Sequence, residues 1–283
     1  MMYSDAHCHV NPFRGLGGGV VGKKFREHGG WFIALVALTP DSYGFKPNYD
    51  GYIASIDKFI KECKKVEEQG LKVIRLAGFH PADVNKLIAR GLRPKEVYEL
   101  ALRVLKHIKG LVREGVLDGI GEVGRPHFKS EPVVTVLSEL IMVEALRLAK
   151  DLGVITHLHL EQGGLATVLS VENIARLVGI GKPKVILHHC NSEVAKIALD
   201  RGFPVTVVGK KELIASLGRY VNHPNLLIES DYLDDKRRPG VVMYPWEIPE
   251  ELNKALSEGL ISNEVISKLM IDNVVRIYDV EPP

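Results

Sequence analysis

The sequence lacks any run of about 18 apolar residues, which is the least that a membrane-spanning helix needs. Its opening residues, MMYSDAHCHV, also lack the basic region and apolar stretch of a secretory signal. Cysteine is scarce: the chain has only Cys8, Cys63 and Cys190, which is not the pattern of a disulfide framework. We therefore expect a cytoplasmic protein that does not interact with membranes.

Strong charge of either sign is also lacking. The formal net charge is +2, although 25% of the 283 residues are charged. This balance neither requires nor excludes a nucleic-acid substrate, because dedicated duplex binders are usually much more basic. The 46% of hydrophobic residues is enough for one large core, and a barrel of about 250 residues forms a single domain.

Apolar runs alternate regularly with amphipathic stretches. The strand-like runs, rich in Val, Ile and Leu as buried parallel strands are, cover residues 2–9, 31–38, 71–79, 116–122, 153–159, 184–190, 203–208 and 225–231. Helical spacing or a proline start predicts helices over 52–69, 95–114, 131–151 and 192–200. The first connection, 11–30, is instead glycine-rich and is expected to be a loop.

Eight strands alternating with helices fit either a closed barrel or a doubly wound sheet. A Gly-x-Gly-x-x-Gly turn does not follow the first strand, which disfavours a dinucleotide-binding sheet. The residue types that bind metals decide between the two, because they lie at the ends of the predicted strands. They favour a single (β/α)8 TIM barrel that spans residues 1–283.

Metal-binding side chains collect where the predicted strands end. His7 and His9 lie two residues apart on the first strand and face the same way, with Asp5 on that face as a partner for them. Glu122 ends the fourth strand between glycines, where a carboxylate can bridge two cations. Asp231 ends the eighth strand, in LLIESD.

Histidines end the fifth and sixth strands. His157 and His159 share one face of the fifth strand, whereas His188 and His189 are neighbours that must face opposite sides. Strand parity does not say which of these two faces the barrel.

In a barrel all these strand ends meet at one rim, where the active sites of this fold lie. Four imidazoles and two carboxylates can hold two divalent ions about 3.5–4 Å apart, with Glu122 bridging and Asp231 acting as ligand and general base. Nitrogen and oxygen ligands suit Zn, Mn or Co better than Mg.

Several segments, in order along the chain, resemble the TatD-like branch of the amidohydrolase superfamily, metal-dependent hydrolases that include deoxyribonucleases. They are DAHCHV at the start, LAGFHP at 76–81, GIGEVG at 119–124, HCNSE at 189–193, LLIESD at 226–231 and IDNVVRIYDV near the end. The resemblance implies metal ligands at His7, His9, Glu122, His157, His189 and Asp231. It favours His189 over His188, because the His-Cys pair of the family aligns with His189–Cys190.

The resemblance also places His80 in the pocket, as a residue that holds a phosphate. This chain departs from the family at Arg125, where the G-E-x-G-L-D segment would continue, and at His159, where the family has an arginine. We assign His80, His159 and Arg125 to substrate binding.

The function that we expect is metal-dependent hydrolysis of a phosphodiester, as in a DNase, with DNA or another phosphate-bearing compound as substrate. Cations near the rim, at Lys23, Lys24, Arg26 and 236–238, suit such a substrate. An amidohydrolase or lactonase that acts on a small amide or ester with the same zinc-type site is the alternative. A protein that only binds metal is the third class.

Overall fold

The computed structural model describes residues 1–238 and 242–283. Its eight strands form one parallel sheet in the order of the chain. The strands are β1 (Tyr3–Cys8), β2 (Gly30–Val36), β3 (Lys72–Ala77), β4 (Gly119–Gly124), β5 (Ile155–His159), β6 (Val185–Leu187), β7 (Val205–Val208) and β8 (Leu226–Glu229).

Helices follow the strands on the outside. They are α1 (Gly18–Glu27), α2 (Tyr49–Glu67), α3 (Pro81–Ala89), α4 (Pro94–Arg113), α5 (Pro132–Leu152), α6 (Leu165–Val178), α7 (Ser192–Asp200), α8 (Lys211–Leu217), α9 (Ile248–Ser257), α10 (Asn263–Ser267) and α11 (Asn273–Tyr278). Within the described ranges, none is both long and apolar enough to cross a membrane.

The last strand returns to the first. Beyond β8, the Asp231 N–H donates to the His7 carbonyl over 3.0 Å, and the His9 N–H donates to the Tyr232 carbonyl over 2.9 Å. Cys8 and Tyr232 pair in parallel. These contacts bring the two edges of the sheet together, so the expected (β/α)8 barrel is confirmed.

Alternate side chains along the strands enter two apolar clusters, as the twofold period of a strand requires. Ile33 and Leu35 pack outward beneath the helices. Phe32 and Val36 belong to a smaller inner cluster, which also contains Tyr278 from the last helix. The barrel interior is therefore packed, and α11 supplies part of that packing.

The glycine-rich first connection contains a helix, contrary to the expectation of a plain loop. A Cβ atom at Gly18 would lie 2.3 Å from the Glu62 carbonyl oxygen, so glycine allows α1 to begin directly against α2. The Gly18 N–H donates to the buried carboxylate of Glu62 over 2.8 Å. The glycines thus serve close packing between two helices.

Asp83 on α3 is a buried acid whose ionisation should weaken the fold. Burial raises its pKa from 3.8 to about 6, although Lys86 and the Tyr52 hydroxyl oppose this. Because the folded state holds this proton more tightly than the unfolded chain does, the contribution of Asp83 to stability is greatest below about pH 4 and falls as the pH rises to about 6.

We expect Asp83→Asn to remove this loss, since an amide oxygen still accepts from the Tyr52 hydroxyl, which lies 2.6 Å from Asp83. The unfolding free energy of the variant relative to the wild type should rise by up to about 3 kcal/mol between pH 4 and pH 7. Urea titrations at several pH values measure this difference. A difference that does not change with pH would contradict the prediction.

Candidate metal centre

The carboxylate of Glu122 lies at the centre of a ring of imidazoles. Its Oε1 atom is 3.4 Å from His7 Nε2 and 3.3 Å from His9 Nε2. Its Oε2 atom is 2.8 Å from His159 Nδ1 and 3.3 Å from His80 Nε2. Glu122 stands at the end of β4 and is only 5% exposed. Its two oxygen atoms therefore face two different groups of histidines.

Asp231 and His188 complete the side next to β1 and β8. His188 Nε2 is 3.6 Å from Asp231 Oδ1 and 3.7 Å from Glu122 Oε2. The other Asp231 contact is with His9 Nε2, at 3.9 Å. The two carboxylates therefore share the same imidazoles.

Hydrogen bonds behind the rings fix which nitrogen faces the carboxylates. His9 Nδ1 lies 2.8 Å from the Val36 carbonyl oxygen, which can only accept, so Nδ1 carries a proton and Nε2 is the nitrogen that faces Glu122 and Asp231. His188 Nδ1 lies 2.7 Å from Glu229 Oε2, which holds that ring with Nε2 towards Asp231. Such outer contacts orient imidazoles in metal sites.

These residues fit divalent metal ions. His7 Nε2 and His189 Nε2 are buried, and neither has a hydrogen-bond partner among the described residues, although buried polar atoms normally have one. Burial lowers the pKa of His7 to about 4 and that of His189 to about 3, so both rings are neutral at pH 7. The neutral imidazole is the form that binds a metal.

The two carboxylates differ in their affinity for protons. Burial acts to raise the pKa of Glu122, but the nearby imidazoles of His80 and His159 outweigh it and hold that pKa well below its usual value. Burial raises the pKa of Asp231 to about 7, opposed by His9 and reinforced by Glu122. Glu122 therefore stays ionised, whereas Asp231 can exchange a proton near neutral pH.

The expected orientation of His188, the first of the two histidines after β6, is wrong. His188, which was expected to face the helices, lies in the barrel and stacks on His7 with 3.5 Å between ring centroids. β6 ends at Leu187, and the backbone of His189 has φ +45°, so strand alternation does not extend to this pair. The ring of His189 lies 4.5 Å from that of His188 and 4.6 Å from that of His159.

His189 belongs to a second group of imidazoles beside Glu122. Ligand atoms of His127, His159 and His189 all lie within 4.8 Å of one another. His127 Nδ1 is 2.6 Å from His159 Nε2, and His159 contacts Glu122 through its other nitrogen. Three histidines are a common protein contribution to a metal site with an open position.

His157 is buried one layer deeper than the other imidazoles. Its Nδ1 atom is 2.9 Å from His7 Nδ1, on the side of that ring away from Glu122. Its Nε2 atom is 3.1 Å from the Tyr278 hydroxyl. The structure therefore places His159, and not His157, against Glu122.

A cleft of about 490 Å³ opens above the two carboxylates. His80 and His159, which were predicted to bind substrate, line it together with Asp231, Lys86 and Arg238. Several cations were expected near the rim. Among the residues that the structure describes, Arg238 is the only one of them that lines the cleft. Lys24 instead lies over the ring of Trp246, 4.8 Å from its centroid.

Arg125 does not have the expected position. The residue is 4% exposed, and its guanidinium donates to both oxygens of Glu161 at 2.7 and 2.8 Å and to Glu139 over 2.7 Å. The arginine thus connects β4 to the outer layer. Among the described residues that line the cleft, Arg125 is absent.

Sequence reasoning missed two residues of the site, His127 and Lys86. His127 directly follows the segment GEVGRP and lies three residues beyond the end of β4. A histidine so close to the carboxyl end of a barrel strand is a signal that could have been used. Lys86 lies on α3, and the sequence gives no sign that this helix borders the cleft.

Comparison with known proteins finds relatives along nearly the whole chain. A protein of Methanocaldococcus jannaschii, described only as uncharacterized, is 29% identical over 283 residues, which is 98% of this chain and 96% of that protein. The crystal structure of a TatD-like protein from Archaeoglobus fulgidus matches with a TM-score of 0.64 and 21% identity, over 98% of this chain and 100% of that one.

Another TatD homologue, YjjV of Escherichia coli, matches with a TM-score of 0.66 and 16% identity, over 99% and 98% of the two chains. A variant of a lactonase from Deinococcus radiodurans, described as phosphotriesterase-like, matches with a TM-score of 0.65 and 15% identity, over 98% and 95%. The family model described as TatD-related DNase matches residues 4–279, and the chain therefore belongs to this family of metal-dependent hydrolases.

Proposed function

We propose that the protein is a metal-dependent phosphodiesterase, with DNA or a related phosphodiester as substrate. The observation that carries this proposal is the arrangement around Glu122, whose two oxygen atoms face separate groups of imidazoles at the base of a cleft. Membership of the TatD-related DNase family supports the same reaction class.

Two divalent ions fit this arrangement, and Zn, Mn or Co suits its nitrogen and oxygen donors better than Mg. The first would be held by His7, His9, His188, Asp231 and Glu122. The second would be held by His127, His159 and His189 beside the Oε2 atom of Glu122. This set differs from the expected ligands in using His159 in place of His157 and in adding His127 and His188.

Divalent ions in such a pair lower the pKa of a water molecule and neutralise negative charge that develops on a phosphoryl oxygen. Asp231 is the residue of this chain that takes the proton of the attacking water. Its side chain is 19% exposed towards the cleft, so its carboxylate borders both the proposed ion and the space where a substrate would bind, as a general base must. Glu122, with its low pKa, remains an anion between the imidazoles.

The cleft also contains groups that suit a phosphate. The Lys86 side chain is 39% exposed, and the nearest carboxylate oxygens to its Nζ atom are 3.8 and 3.9 Å away, on Asp83 and Asp41. Arg238 lines the same cleft, and His80 stands beside Glu122. A phosphodiester would accept charge-assisted hydrogen bonds from these side chains.

A lactonase is the second candidate, because part of the cleft wall is apolar. That wall comprises Ala37, Leu38, Phe128, Leu233 and Val242. It would suit the acyl chain of a lactone.

A substrate panel separates the two functions. The metal-loaded enzyme should hydrolyse bis-p-nitrophenyl phosphate and release nucleotides from a single-stranded oligonucleotide, with kcat/KM at least tenfold above that for acyl lactones. Higher kcat/KM for lactones than for both diesters would overturn the proposal in favour of the second candidate.

Asp231→Asn tests the general base. We expect kcat to fall by about 10²–10⁴-fold, because the amide cannot take a proton from water. Metal content is measured in the same sample, since Asp231 also contacts the proposed ligands. Asp151→Asn, the same change at an exposed position at the end of α5, serves as the control. A variant that keeps its metal and turns over within a few-fold of the wild type would rule Asp231 out as the base.

His127→Ala and His188→Ala test the two ion positions. Each variant should retain about one ion per chain where the wild type retains about two, because each removes a ligand from a different position. Elemental analysis after dialysis against metal-free buffer gives the stoichiometry, with the exposed His28 replaced by Ala as the control. Equal metal content in His127→Ala and the wild type would contradict a second ion at this place.

A further inference from the structure

A column of hydrogen-bonding groups runs from the last helix to the site, beneath His7. The Tyr278 hydroxyl of α11 lies 2.8 Å from the Ala6 carbonyl oxygen and 3.1 Å from His157 Nε2. His157 Nδ1 then lies 2.9 Å from His7 Nδ1. The mechanism described above uses neither Tyr278 nor His157.

The chemistry of these groups fixes the position of every proton in the column. A carbonyl oxygen can only accept, so the single proton of the Tyr278 hydroxyl points to Ala6. The contact between Tyr278 and His157 then requires His157 Nε2 to donate to the hydroxyl oxygen.

His157 is completely buried and, among the described residues, no carboxylate lies within ion-pair distance of it, so its ring is neutral. A neutral ring that is protonated at Nε2 has a lone pair at Nδ1. The proton between the two rings therefore belongs to His7 Nδ1. The Nε2 atom of His7 is then left with its lone pair directed at Glu122, where it has no hydrogen-bond partner.

We propose that Tyr278 and His157 are positioning residues that hold His7 in the tautomer with Nε2 free, and so prepare His7 to bind a metal ion. This inference rests on the proposed metal site. It assigns His157 a role behind His7 and not that of a ligand. It also gives the last helix a function, since α11 places the Tyr278 hydroxyl inside the barrel, with the ring packed 4.8 Å from that of Phe32.

The protonation pattern can be tested on the metal-free wild-type protein. In ¹⁵N–¹H correlation spectra of the histidine rings, we expect His157 to be protonated at Nε2 and His7 at Nδ1. Spectra of His7→Gln and His157→Gln assign the two rings by loss of signal. A spectrum with His7 protonated at Nε2 would overturn the proposal, whether or not the protein is a phosphodiesterase.

Metal affinity tests the consequence. His157→Leu removes the acceptor for His7 Nδ1, and we expect Zn²⁺ affinity, measured by competition with a chromogenic chelator, to fall by about 10–100-fold. His157→Gln keeps an acceptor and a donor and should stay within a few-fold of the wild type. If His157 were a ligand itself, both variants would lose Zn²⁺ to a similar extent, and that result would contradict the proposal.

Tyr278→Phe removes the other end of the column and should also weaken Zn²⁺ binding, by about tenfold or more. Tyr52→Phe is the matched control, because it removes a buried hydroxyl that bonds Asp83 over 2.6 Å in the outer layer. Thermal unfolding verifies that both variants are folded. Equal Zn²⁺ affinity in the two variants would show that Tyr278 does not act on His7. If the wild type itself bound no Zn²⁺, the proposed function would fail, whereas the wild-type spectra would still test the proton positions.

Discussion

The buried carboxylate of Glu122 is the constraint on which the rest of the site depends. An isolated carboxylate is very costly to bury, and this one is accommodated because imidazole nitrogens from β1, β5 and the segments after β3 and β6 surround it. Removing any one of these strand ends would leave the charge without part of its compensation. The barrel thus brings together, at one point, residues that are far apart along the chain.

A second layer of polar groups holds the first in place. Val36 fixes His9, Glu229 fixes His188, and the column through His157 reaches His7. Asp5, which was expected to support the β1 histidines, accepts hydrogen bonds from the His7 backbone N–H at 3.2 Å and from the backbone and the hydroxyl of Ser230 at 2.9 and 2.5 Å. It therefore holds the backbone at His7 and joins β1 to the end of β8.

The loops at the rim are held by a similar device. The buried Asp234 carboxylate accepts the N–H groups of Asn11 and Leu16 over 2.7 Å and of Gly17 over 2.9 Å. This connects the loop after β1 with the segment that carries Asp231. Both sides of the cleft are consequently anchored to the same strand pair that closes the barrel, which favours a preformed site.

The sequence by itself determined the strand and helix alternation, and with it the rim at which His7, His9, Glu122 and Asp231 meet, because strand period and burial are local properties. It could not rank His157 against His159, since both occupy one face of β5 and only depth in the barrel separates them. It could not orient His188 and His189, because the left-handed backbone at His189 ends the alternation. It could not show that Arg125 pairs with Glu139 and Glu161, acids on other elements, and therefore points away from the cleft. These outcomes depend on contacts between distant segments, and so only the tertiary structure decided them.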